Sequence, residues 1–219
     1  GVGHEQVLFV RITTQVWLYL LALVVFLGLA APNLYAAYRN IEPYRWRAGK
    51  ELSPEQYKLA RRALLWTGLL IILIGGIYLA SFVSAQWETV LRFFNGVSFD
   101  ETDPVFQKDI SFFVYTLPVL EFLRLWLFGS LVLILLFVVG FYYAASKLRS
   151  EMFVFEAKVR AHILALGALM FLLIAAGHWL GRYELLFSQT GTVFGVGYTD
   201  YNVLLPVRAI LTFVAVASA

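Results

Sequence analysis

His162 and His178 are the side chains of this sequence best suited to ligating a metal, and both fall on one apolar stretch, 16 residues or about 24 Å apart along a helix. His178, in AAGHWLGRYE, stands beside Gly177, and small neighbours of that kind leave room for a flat macrocycle such as haem or chlorophyll. Two histidines that far apart would need two sites, near opposite membrane faces. Hydrogen bonding at the interface is the plain alternative for each, because histidine is amphipathic. The sequence itself requires no cofactor.

A second group of polar residues lies close in the chain: Arg182, Glu184, Asp200 and Arg208. Arg208 sits shallow enough in its apolar stretch to snorkel outward, with Glu184 or Asp200 as a partner. Glu121 and Arg124 stand at the start of another apolar stretch. A third group belongs to WETVLRFFNGVSFDETDPVFQKDISFFVYTLP, residues 87–118, where five acidic residues alternate with aromatic rings. There Asp103 and Asp109 are placed to cap helices or to pair with Lys108, Arg124 or Arg182. HExxH, a nucleophile elbow and acid pairs at catalytic spacing are all missing, so the reading leans away from an enzyme. GTVFGVGYTD, residues 191–200, is rich in glycine but lacks the strand and the Lys-Ser or Lys-Thr of a phosphate loop, and reads as a flexible turn.

These groups need elements to hold them, and composition says what kind. With 61% hydrophobic and 14% charged residues and a mean hydropathy of +0.77, the chain is too apolar for a soluble domain, where roughly 25% charged residues is usual. The aromatic share of 17% suits helices passing from lipid into water. Stretches of about 20 apolar residues, enough to span about 30 Å of hydrocarbon, occur at 14–35, 63–86, 123–145 and 161–180. A fifth begins at 203 and stops at Ala219. The expectation is an all-α, polytopic transmembrane helix bundle: four complete spans, a truncated fifth, and an interfacial helical connector at 87–118. The chain reads as one transmembrane domain, and its ends read as cuts in a longer protein. There is no cysteine, which removes disulfides and thiolate sites.

Eleven of the 17 basic residues fall in two alternate loops. Arg39, Arg45, Arg47, Lys50, Lys58, Arg61 and Arg62 lie in 36–62, and Lys147, Arg149, Lys158 and Arg160 in 146–160. The positive-inside rule places those loops in the cytoplasm, and the N-terminus and 87–118 outside a bacterial cytoplasmic (inner) membrane. The net charge of +3 then reflects topology and contact with membrane lipids, and gives no support to nucleic acid as a partner.

Local signals mark the helix boundaries. Ser53-Pro54-Glu55-Gln56 reads as a capping box. Pro32 is expected to kink or end the first helix. Small residues at helical spacing, Gly76, Ala80 and Ser84 on one stretch and Gly177 and Gly181 on another, read as faces for close helix packing. In the connector, Trp87, Val90, Leu91 and Phe94 share one face opposite Glu88 and Arg92, a short interfacial helix that Asn95-Gly96 ends. Asp103-Pro104 reads as the start of a second short helix through VFQKDI that carries Phe106. Pro118 opens the next span.

The connector, with its DPxFxxDIxFFxxxLP pattern, resembles the signature of a family of long, polytopic, functionally uncharacterised bacterial membrane proteins. HWLGRYELLFSQTGTVFGVGYTDYNVLLPVRAIL, residues 178–211, is similar to that family's second strong block. The resemblance implies several membrane helices followed in full-length members by a large extracytoplasmic region. It brings no activity, cofactor or catalytic residue with it. The function expected is a scaffold or accessory subunit contacting other membrane protein subunits. A transporter or channel module is the alternative, and a pigment- or haem-binding subunit the third reading.

Overall fold

The computed structural model describes residues 2–40, 53–148, 156–188 and 195–219. Its elements are α1 (Val2–Asn40), α2 (Pro54–Ala85), α3 (Trp87–Phe94), α4 (Leu117–Leu148), α5 (Ala157–Glu184) and α6 (Leu205–Ala217). Among the described residues the only β pairing is an isolated bridge between Thr102 and Asp109. Five helical segments, Glu5–Asn40, Glu55–Ala85, Phe112–Lys147, Ala157–Phe187 and Asp200–Ala217, are long and apolar enough to cross a membrane. Much of the 36–62 and 146–160 loops, with Arg45, Arg47, Lys50 and Arg149, lies outside the described residues, as does 191–194 of the glycine-rich turn.

The chain divides into two compact units, 1–85 with 130–166, and 86–129 with 167–219. In the first, α1 buries Ala22, Phe26, Ala30, Leu34 and Ala37, spaced by three or four residues along one face. Against that face α2 sets its small residues. A Cβ on Gly76 would stand 3.0 Å from Leu23 and Phe26, Ala80 is fully buried, and the Ser84 hydroxyl donates to the Gln15 carbonyl at 3.1 Å. The stripe read from the sequence is thus a packing face within the chain, where missing side chains let two backbones approach. The α4 residues Ile134, Val138 and Phe141 complete this core.

Helix α1 runs through Pro32 to Asn40 instead of ending there. Proline removes one amide donor and crowds the carbonyl four residues back, which belongs to Gly28. In the same turn the Asn33 side-chain amide donates to the Leu29 carbonyl at 2.7 Å. At the start of α2 the capping box is formed: Ser53 N–H donates to Gln56 Oε1 at 2.9 Å, and Gln56 N–H to Ser53 Oγ at 3.2 Å.

In the second unit α4 and α6 begin in the same way. Each is preceded by five residues of π-helix, Phe112–Thr116 and Asp200–Leu204, and then by Leu-Pro. Leu117 N–H bonds back to Phe112, and Leu205 N–H to Asp200, five residues in each case. An α-helical turn before proline would press the ring on a carbonyl four residues back, and the wider π turn displaces that carbonyl. Pro118 therefore sits at the second position of α4, in a helical run that already includes Ile110 and Ser111.

Candidate functional site

The connector is held by side chains. Asn95 caps α3, its N–H and its side-chain amide both donating to the Leu91 carbonyl, at 3.0 and 2.8 Å. Gly96 follows because a Cβ there would fall 2.7 Å from the Tyr115 ring, which stacks on Phe99 at 5.9 Å. Trp87 opens α3, and the exposed Glu88–Arg92 ion pair links its first and last turns.

The second helix expected from Asp103-Pro104 is a single turn. Asp103 does cap it, accepting from the Val105 and Phe106 amides at 2.9 and 2.6 Å. The turn then stops because Gln107 takes a left-handed conformation (φ 53°), and Lys108 returns its carbonyl to Asp103 N–H at 2.8 Å. The reversal folds the segment back on itself and delivers Asp109 to the preceding loop. The Asp109 carboxylate accepts from Ser98 Oγ (2.6 Å) and from the amides of Phe99 (3.3 Å), Asp100 (3.1 Å) and Ser111 (2.7 Å). The Ser111 and Ser98 hydroxyls, with the Ser111 amide, hold its carboxyl well below the usual carboxylate range. Phe106 joins Phe113 and Tyr183, with ring centroids 6.4 and 4.8 Å away, and Lys108 lies over Phe112 at 4.7 Å.

The other polar residues separate into two places. In the first unit, His162 Nδ1 is 2.9 Å from the Tyr142 hydroxyl and Nε2 is 2.9 Å from Asn33 Oδ1. Because Asn33 gives its amide hydrogen to Leu29, its oxygen needs a donor, so Nε2 carries the proton. Asn40 donates to Tyr142 oxygen at 3.1 Å, and the Tyr142 hydroxyl donates to Nδ1. Every group is matched with the imidazole neutral. Both nitrogens of His162 are thereby engaged within the protein.

In the second unit a cavity of about 560 Å³ opens among α4, α5 and α6. Glu121, Arg124, His178, Glu184 and Arg208 line it, together with apolar residues such as Leu125, Phe128 and Leu211. Arg208 donates to Glu184 at 3.2 Å, so of the two partners considered for Arg208 it is Glu184 that bonds. Gly177 and Gly181 serve as seats for guanidinium groups: a Cβ on Gly177 would lie 2.9 Å from Arg124 Nη1, and one on Gly181 would overlap the Arg208 guanidinium. Arg182 instead lies over the Trp179 ring at 4.2 Å. Asp200 is buried and accepts from the Gly197 amide at 2.9 Å, capping the last helical segment. Sequence reasoning grouped Arg182 and Asp200 with this cluster. It noted Glu121 and Arg124 without joining them to it; their i, i+3 spacing, which puts both on one helix face, was the available signal.

Among the described residues no group of three or more His, Cys, Asp or Glu is arranged to hold a metal ion. The chain matches an uncharacterised protein family, UPF0182, over residues 1–219. It is similar to UPF0182 proteins of Thermobifida fusca (32% identical, covering 100% of this chain and 22% of that protein) and Trichodesmium erythraeum (30%, 93% and 22%). With a relative from Synechococcus sp. strain JA-2-3B'a(2-13) it shares 38% identity over 64% of this chain and 17% of that protein. No solved structure matches. The chain spans about a fifth of the length of these curated relatives. A match along the whole chain, with both the connector and the 178–211 block inside it, makes this chain a member of the UPF0182 family.

Proposed function

We propose that this part of the protein is a multi-pass bacterial inner-membrane module that acts as a scaffold or accessory subunit of a membrane protein complex, with the connector on the outer face as its docking platform. The observation that carries the reading is the construction of that connector. Four hydrogen bonds to Asp109, the Asp103 cap and the ring cluster around Phe106 fix its shape. Yet Phe94 and Val97 remain 75% and 65% exposed. A segment that only joins two helices needs no such bracing, whereas a preformed apolar platform lowers the ordering cost of binding a partner. Its partner would be another membrane protein with an apolar, aromatic-accepting surface.

The test is purification of the full-length protein in mild detergent with native mass measurement. A discrete complex with a second protein in fixed ratio is the expected result. Recovery of the protein alone after complete extraction would overturn the reading. The charge-lined cavity favours a second reading, a transporter or channel module, which solute uptake by the reconstituted protein that depends on Arg208 or Glu184 would establish. For the pigment reading His178 and His162 are the candidate ligands, and an absorption spectrum without a Soret or chlorophyll band would end it.

A further inference from the structure

We propose that the cavity among α4, α5 and α6 binds an amphiphilic oxyanion, a phosphodiester or carboxylate head on an apolar chain. Arg124 of α4 and Arg208 of α6 reach the same side of α5. Their guanidiniums are seated on Gly177 and Gly181, one turn or about 6 Å apart along that helix. Two like charges brought that close call for negative charge between them, and the chain supplies only part of it. The Glu121 and Glu184 carboxyls hydrogen-bond each other. Carboxylates only accept, so such a bond needs a proton on one of the two, and the pair carries a single negative charge. Glu184 directs it at Arg208, 3.2 Å away. Two guanidiniums against one carboxylate leave one positive charge in the cavity, and His178, neutral or cationic, cannot cancel it.

Arg124 is the open end of this arrangement. Among the described residues it forms no ion pair. Only its Nε is shut away from solvent without a partner, so the two terminal nitrogens are accessible to a ligand. They present the planar fork that fits the oxygens of a phosphate or a carboxylate. A guanidinium unpaired in an apolar wall is costly, and an anion in the cavity removes that cost. The remaining wall receives the tail. On α4 the lining passes from Arg124 through Leu125 to Phe128, and on α6 from Arg208 to Leu211, so each helix goes from a guanidinium to apolar side chains in about one turn. The volume of about 560 Å³ lies in the range of pockets that bury a small organic ligand, and a bare inorganic anion would leave that apolar wall unused.

The experiment is native mass spectrometry of the full-length protein released from vesicles of equal phosphatidylglycerol, phosphatidylcholine and phosphatidylethanolamine, with oleate added to a second set. Retention of phosphatidylglycerol over the two zwitterionic lipids assigns a phosphodiester head, and retention of oleate over them a carboxylate; either is the expected result. Arg124→Gln should lower retention of the anion about tenfold, as loss of one charge-assisted contact does. Arg92→Gln, an equal change of charge on the exposed part of α3, should leave it unchanged. Leu211→Trp, which fills the apolar end and keeps every charge in place, should also release the anion, and it decides the matter if Arg124→Gln fails to fold. No anionic amphiphile retained, no preference over the zwitterionic lipids, or equal retention by the unmodified protein and both cavity variants would overturn the proposal. So would displacement of the amphiphile by equimolar glycerol phosphate or acetate, because the apolar wall would then contribute nothing.

Discussion

Tyr142→Phe removes one oxygen atom and tests whether the polar chain around His162 is a structural brace. The ring stays, so no cavity forms, and only two hydrogen bonds are lost: the donor to His162 Nδ1 at 2.9 Å and the acceptor for Asn40 at 3.1 Å. A typical net hydrogen bond is worth about 0.5 to 1.5 kcal/mol, and those between membrane helices average about 0.6. The expected loss is therefore about 1 to 2 kcal/mol, a factor of about 5 to 30 in the folding equilibrium. Tyr35→Phe, at a site 64% exposed, is the matched control. Equilibrium unfolding in mixed detergent, followed by tryptophan fluorescence, measures both. In a double-mutant cycle Tyr142→Phe and His162→Phe should cost less together than the sum of each alone, because both break the same bond. Coincident unfolding of Tyr142→Phe and Tyr35→Phe, or strict additivity in the cycle, would refute the reasoning.

Three further perturbations address local construction. Asp109 has a lowered native pKa, so its contribution to the connector is complete above the ordinary carboxylate value of about 4. It is lost only as the pH falls through the lower native value, and amide exchange around Ser98 to Ser111 should stay protected from pH 8 to 5 and weaken only in stronger acid. Asp109→Asn should expose those amides at neutral pH. Gly96→Val should push Tyr115 off Phe99 and destabilise the connector by about 1 to 3 kcal/mol, read as loss of protection there and not in α1. Ser53→Ala should cost about 1 kcal/mol and fray only the first turn of α2, visible as faster exchange at Gln56.

The features most legible in the sequence depend on near neighbours or on composition. Five apolar stretches became five long helices because apolar length alone decides them. The Ser53–Gln56 box and the Asn95 cap formed because each is completed within four residues. Asp103 shows where such reasoning stops. Its cap is real, yet the helix it announces ends after one turn, because Gln107 and the Lys108 carbonyl turn the chain back. Pro118 and Pro206 signal only a missing donor, and the π turns that accommodate them answer to crowding at a carbonyl several residues earlier. Gly177 and Gly181 fit the pattern of a helix-packing face, but what fills the space over each is a guanidinium from another helix, and periodicity carries no trace of it.

The scaffold reading rests on the connector as a docking platform, and a photoreactive phenylalanine analogue placed at Val97 in living cells tests it most directly. The same analogue at Phe213, 77% exposed on α6, reports a helix face. The account predicts a single protein adduct of defined mass from position 97, lost when Asp109→Asn loosens the connector. Lipid adducts alone from both positions would contradict it.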